Sequence, residues 1–239
     1  MNEPEEPERT VVFPAMPEVT FARRQLHLIV VVDCSGSMTG DKMASLNYAM
    51  RSLVPALRDV AEDNPETDLR LRVLAFSTGT RWHEPGPTPI DAFVWHDLVA
   101  GGETDMGAAL REVGGVLTPE EMSGRQLPPV VVLISDGFPS DDFEAGLAAL
   151  MAAPYGGKSV RVAVAIGQDA DPDVLDAFIG NPEFRPLRAN NAQDLVARIR
   201  WATTAVVKAV SSPTTDPRPL ASLGERAAIE IDATSDVLW

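Results

Sequence analysis

Short runs of aliphatic and β-branched residues alternate with helix-period patterns along most of this sequence, and that alternation leaves few folds open. The sharpest run is Leu28-Ile29-Val30-Val31-Val32, which ends at Asp33. Continuous apolar character, rather than every second residue, is what a strand covered on both faces requires. Regular structure is expected from about Leu26. Comparable strand runs stand at Leu69 to Phe76, Pro129 to Ser135 and Ser159 to Gly167, with a weaker one at Ala92 to Val99. Met43, Leu46, Met50, Leu53, Leu57 and Val60 share one face of a helix, in which Pro55 is expected to cause a kink or need compensation. Further helices are predicted over Asp105 to Leu117, Asp141 to Ala153, Pro172 to Ile179 and Ala192 to Val210. The expected architecture is therefore α/β and doubly wound, with a mostly parallel central sheet flanked by helices on both faces.

At 239 residues the chain accommodates one such domain with extensions. Residues 1–22 read as an acidic, proline-rich leader, 23–210 as the domain, and 211–239 as an extended tail. Within that tail Ile229 to Asp232 is a possible short strand, and Trp239 an apolar group able to anchor onto the domain or a partner. No apolar run reaches the roughly 18 residues a membrane helix needs, and the start, MNEPEEPERT, lacks the pattern of a secretory signal. With Cys34 as the only cysteine, no disulfide forms within the chain, and the expected location is cytoplasmic. A formal net charge of −15 argues against nucleic acid and anionic membranes as partners and favours cations or basic surfaces.

Asp33-Cys34-Ser35-Gly36-Ser37 places three oxygen-bearing side chains at alternate positions directly after the central strand run. In open α/β sheets, ligands bind beyond the carboxyl ends of strands. Two further loops offer oxygen donors beside glycine: Gly101-Gly102-Glu103-Thr104-Asp105 and Ser135-Asp136-Gly137-Phe138-Pro139. Asp33, Ser35, Ser37, Thr104 and Asp136 together make an oxygen-only set of two carboxylates and three hydroxyls. That chemistry suits a hard cation such as Mg²⁺, and the low charge leaves the ion open to an incoming anion. Glu103 reads as a solvated loop residue and Asp105 as the cap of the following helix.

This set and its order along the chain resemble the metal-ion-dependent adhesion site of von Willebrand factor A domains, over about residues 25–210. The resemblance implies that Ser35, Ser37 and Thr104 ligate the ion directly or nearly so, with Asp33 and Asp136 acting directly or through water. It also implies a remaining coordination position for a partner's carboxylate. The segment Asp136-Gly137-Phe138-Pro139-Ser140-Asp141-Asp142 is similar to the TerY-like tellurium-resistance group. That similarity implies a bacterial stress-response or defence setting with kinase-like or phosphatase-like protein partners.

Catalytic readings find little support in the same residues. An EF-hand loop starting at Asp33 needs glycine at its sixth position and glutamate at its twelfth, where Met38 and Ala44 stand. Gly156-Gly157-Lys158-Ser159 ends like a phosphate-binding loop, but Ala152 replaces the first glycine, so a helix-to-strand turn with left-handed glycines is expected. No G-x-S-x-G elbow occurs. His27, His83 and His96 are scattered and read as strand or surface residues, and Cys34 reads as a packing residue.

The expected function is a non-enzymatic, divalent-metal-dependent protein–protein interaction module using Mg²⁺, with Mn²⁺ or Ca²⁺ as substitutes. One alternative is a metal-assisted phosphate-ester hydrolase, against which no lysine, arginine or histidine stands out beside the motif as a second charge clamp. The other is a partner of a ring-forming ATPase.

Overall fold

The computed structural model describes residues 23–167, 170–182 and 184–211. The leader over 1–22, the Ile229 to Asp232 segment and Trp239 lie outside the described residues. Among the described residues, seven strands and five helices follow in the order β1 Arg24–Asp33, α1 Asp41–Glu62, β2 Thr67–Ser77, β3 Gly79–Trp82, β4 Thr88–Pro89, α2 Met106–Val116, β5 Val130–Ser135, α3 Phe143–Ala152, β6 Val160–Ile166, α4 Pro172–Ile179, β7 Leu187–Ala189 and α5 Ala192–Ser211. They form one sheet in the order β3-β2-β1-β5-β6-β7, with β4 also paired to β2. Every pairing is parallel except those of β3 and β4 with β2. Among the described residues, no helix is long and apolar enough to cross a membrane.

The central strand explains the two-layer core. Leu26, Leu28, Val30 and Val32 of β1 pack with Leu46, Met50, Leu53 and Leu57 of α1 and with Leu195, Ile199 and Val206 of α5. The alternate residues Ile29 and Val31 pack on the other face with Met106, Leu110 and Val113 of α2, Leu150 of α3, and Leu175 and Phe178 of α4. Strand side chains alternate between faces, so a strand apolar at every position must be covered twice. β1 leads through α1 to β2 on one side, while β5 lies on its other side. The sheet thus changes direction between β1 and β5, and the crevice above their carboxyl ends is the position where such folds build sites. Register sets these ends level: Asp33 pairs with Phe76, and Val32 with Ile134.

On the second face, α2 and α3 touch backbone to backbone. A β-carbon on Gly107 would stand 2.1 Å from the Asp142 carbonyl oxygen, and one on Gly146 2.3 Å from that of Gly107. No side chain fits at either position.

Three expectations need correction. Ala92 to Val99 is not a strand: α1 holds it instead, with Asn47 exchanging two 2.9 Å hydrogen bonds with the Leu98 backbone. Arg58 of the same helix donates to the carbonyls of Ile90 and Phe93. These side chains satisfy backbone groups that a sheet ladder would otherwise pair. Pro55 stands inside α1 on its exposed side, where the Arg51 carbonyl it leaves without a helical donor can meet water. The Gly156-Gly157 turn is a 3₁₀ turn with no left-handed glycine; Gly156 is needed because a β-carbon would fall 1.7 Å from the Leu150 carbonyl oxygen. His83 is not a surface residue: its side chain is 3% exposed, and its ring stacks with those of Phe93, Trp95 and His96.

Candidate metal centre

Strand β1 delivers Asp33 to the crevice fully buried, and the chain then turns through Cys34, Ser35 and a short 3₁₀ turn at Gly36–Met38. The Ser35 amide donates to Asp33 Oδ1 at 2.8 Å, and the Ser135 hydroxyl donates to Asp33 Oδ2 at 2.6 Å. Ser135 ends β5, so the two central strands are joined across the site by that carboxylate. Ser35 Oγ and Ser37 Oγ lie 2.9 Å apart. Ser37 Oγ donates in turn to Asp136 Oδ1 at 2.7 Å. Four of the five residues picked out in the sequence therefore form one cluster, although Ser37 and Asp136 are 99 positions apart.

The fifth, Thr104, stands in the adjoining loop. Its backbone is fixed: the Thr104 amide donates to Ser140 Oγ at 2.8 Å, and the Ser140 amide donates to the Thr104 carbonyl at 2.9 Å. No hydrogen bond joins its hydroxyl to the other four. The loop itself is bound to the first one, since the Gly36 amide donates to the Gly102 carbonyl at 3.0 Å and the Gly101 amide to that of Cys34 at 2.8 Å. Gly102 has φ +88°, and a β-carbon there would meet Thr78 Oγ1 at 2.6 Å. That glycine is thus required twice, for its conformation and for its fit.

Asp105 stands at the N-cap position of α2, but its side chain makes no cap hydrogen bond. Its Oδ2 accepts from the Gly79 amide at 2.8 Å and its Oδ1 from the Ser140 hydroxyl at 3.3 Å. Capping falls to Asp141, whose two carboxylate oxygens accept from the Gly107 and Ala108 amides at 2.7 Å each. The separation of 34 residues hid this from a local reading. Negative charge at a helix N-terminus is favourable, and here it also ties the third loop to the second.

Lys42 is the charged neighbour of the cluster that the sequence reading missed. Its Nζ lies 2.6 Å from Asp136 Oδ2, with the Asp136 side chain fully buried and that of Lys42 21% exposed. The sequence signal was there: a cation in the first turn of a helix is disfavoured by the helix dipole unless an anion faces it. A side chain at that position also leans back toward the preceding loop.

Burial is the main influence on Asp33, raising its pKa above the ordinary carboxylate value against the hydrogen bonds from Ser135 and Ser35, with the Asp136 charge adding to the rise. A carboxylate in that state gains from a cation nearby. Burial likewise pushes the Cys34 thiol up to about 12, so at neutral pH it is a protonated packing group. Among the described residues, no three His, Cys, Asp or Glu side chains converge as a metal cluster, so a soft-metal site of that kind is not formed. The donors here are oxygen atoms only, two carboxylates and serine hydroxyls, and a cationic group already sits against them. The set fits a hard divalent ion.

The family model for the von Willebrand factor type A domain matches residues 27–198. Among curated proteins none matches the sequence. Several solved structures share the fold. A von Willebrand factor type A protein from Catenulispora acidiphila is 18% identical with TM-score 0.57, covering 77% of this chain and 42% of its own. Proximal thread matrix protein 1 from the mussel byssus, described with a zinc-occupied MIDAS motif, is 19% identical with TM-score 0.58, covering 78% and 49%. The pilus adhesin SpaC from Lactobacillus rhamnosus GG is 14% identical with TM-score 0.59, covering 78% and 30%. The chain spans less than half the length of each of these three proteins. Its family model covers most of the sequence, and the strand order and doubly covered sheet agree with it: the chain belongs to the von Willebrand factor type A domain family.

Proposed function

We propose that this chain is a divalent-metal-dependent protein–protein interaction module, in which Asp33, Ser35, Ser37, Thr104 and Asp136 hold Mg²⁺, with Mn²⁺ or Ca²⁺ able to replace it. The observation that carries the reading is the convergence of three loops on an oxygen-only cluster at the sheet's crossover, beside Asp33, which burial leaves short of a cation. When bound, the ion supplies an electrophilic position for an Asp or Glu carboxylate of a protein partner. The chain's own residues hold the ion and shape the approach. Phe138 and Val99, 62% and 84% exposed, follow Asp136 and precede Gly101, and supply apolar surface beside the loops. Exposed apolar groups next to a charged focus are a common makeup for recognition surfaces.

The similarity of the segment 136–142 to the TerY-like group supports a finer proposal: a non-enzymatic cytoplasmic adaptor in a bacterial stress-response, tellurium-resistance or defence system, with a kinase-like or phosphatase-like partner. The test is affinity capture with the full chain in Mg²⁺, repeated with a chelator and with Asp33→Asn. Asn keeps the shape and one acceptor but removes the charge. A partner retained in all three conditions refutes the metal bridge.

Lys42 gives the phosphate-ester hydrolase reading the nearby cation that the sequence reading had not found. Its ammonium, however, is committed to Asp136, and the cluster contains no histidine base. Turnover of a phosphate ester by the purified chain, lost in Asp136→Asn, would favour that reading over the adaptor.

A further inference from the structure

Lys42 sits where a helix-starting residue is normally neutral or acidic, and it does so beside a cluster that otherwise carries two carboxylates. Three observations fix it there. Its Nζ lies 2.6 Å from Asp136 Oδ2, whose side chain is fully buried. The other oxygen of Asp136 accepts from Ser37 at 2.7 Å, so the carboxylate is shared between the ammonium and the hydroxyl chain. Lys42 Cε and Nζ also lie 3.9 Å from the position a β-carbon would take on Gly167, the residue after β6, so the amine sits close to that strand's end as well as to Asp136.

We propose that Lys42 is a built-in counter-ion of this centre, which stabilises Asp136 when no divalent ion is held and weakens the grip on one when it binds. This rests on the metal-binding reading above and adds to it a residue outside the five ligands. The physical basis is charge. Asp33 and Asp136 offer a cation two negative charges; with the ammonium fixed against one of them, the net offer is a single negative charge. Asp136 must also share or release the ammonium when a divalent ion arrives. Both effects lower affinity for the ion alone, and both leave a bound ion less neutralised by the protein, hence more dependent on a partner's carboxylate. The same contact offsets repulsion between the two buried carboxylates, since an unpaired buried charge is costly.

The test is a calorimetric Mn²⁺ titration of the full chain against Lys42→Met and Lys42→Gln. The first keeps the unbranched apolar stem without the ammonium, and the second keeps a polar tip; both remove the charge. Circular dichroism establishes that each variant is folded. Both neutral variants are expected to bind Mn²⁺ about tenfold more tightly than the unaltered chain, the order expected on removing a like charge a few ångströms from a divalent ion in a partly exposed site. Both are also expected to melt at lower temperature without metal and to gain more from Mn²⁺. Equal or weaker Mn²⁺ binding by the folded neutral variants, with the unaltered chain binding the ion, overturns the counter-ion role alone. An unaltered chain that binds no Mn²⁺ overturns the metal-binding reading beneath it.

Discussion

Gly107→Ala is expected to cost this domain a large share of its stability through one methyl group. The added β-carbon would lie 2.1 Å from the Asp142 carbonyl oxygen, 2.6 Å from its carbon and 3.0 Å from Asp141 Oδ2. Relief requires α2 and α3 to separate by about 1 Å, since a carbon–oxygen contact needs a little over 3 Å. Helix backbones cannot give way as a side-chain tip does. Overpacking of that kind costs about 1–3 kcal/mol. Separation also stretches the two 2.7 Å bonds from Gly107 and Ala108 to Asp141, and loss of an N-terminal cap costs about 1 kcal/mol more. A total of about 3 kcal/mol corresponds to a fall in Tm of roughly 6–12 °C for a domain of this size. Thermal unfolding followed by circular dichroism is the assay, and Gly115→Ala is the control on the same helix. A β-carbon at Gly115 meets nothing within 4 Å, so this change should be neutral or raise stability by up to about 1 kcal/mol through helix propensity. If Gly107→Ala melts within about 2 °C of the unaltered chain, or Gly115→Ala falls as far, the close-contact argument is wrong.

Three further outcomes are expected. Burial, followed by the charges of Arg72 and Arg70, lowers the pKa of His27 to about 4. The unfolded chain therefore takes up a proton near the ordinary value of 6.5 while the folded one does not. Stability should fall as pH drops through that window, by about 2 kcal/mol between pH 7 and pH 5; His27→Gln should flatten the slope, and urea unfolding at both pH values checks it. Asn47→Ala removes both hydrogen bonds to the Leu98 backbone and should cost about 2–4 kcal/mol, since a buried amide and carbonyl are left unsatisfied; a loss below about 1 kcal/mol in the same assay would mean that water replaces the side chain. Cys34, buried and held protonated, should react with a thiol reagent only at the rate of unfolding, and rapid labelling of the folded chain would contradict its placement.

The sequence announced its central strands because they are buried on both faces, and burial leaves a compositional mark. Val130–Ser135 and the Leu28–Val32 run show it plainly. Edge strands carry no such mark. Gly79–Trp82 is exposed or half-exposed along its length, Thr88–Pro89 is two residues long, and Leu187–Ala189 is three; none has room for a pattern. Ala92 to Val99 misled for the opposite reason. Its apolar residues Phe93 and Leu98 are buried, but against a helix that also supplies its hydrogen bonds. The candidate site was legible as a set because Asp33, Ser35 and Ser37 follow a strand directly. Lys42 and Asp141 were not, because what they bind lies 94 and 34 positions away.

Those two residues also change how the site relates to the fold. Asp141 accepts from the first amides of α2, Ser140 beside it holds the Thr104 backbone from both sides, and Asp105 links Ser140 to the β2–β3 hairpin. Thr104 is therefore positioned by the same contacts that set the spacing of α2 and α3, and that spacing is fixed by two glycines facing each other. Asp33 is coupled in the same way, since its carboxylate joins the ends of β1 and β5 through Ser135. A proposed ligand set held by contacts that also hold the core cannot be loosened independently of it. Core variants such as Gly107→Ala should thus weaken the Mg²⁺ or Mn²⁺ response in proportion to the helix separation they force, even though Gly107 offers no side chain to the ion. Lys42 is the exception. It reaches Asp136 from the first turn of α1 and ties no strand end to another, so on the counter-ion proposal its replacement should change ion affinity while the fold stays unchanged.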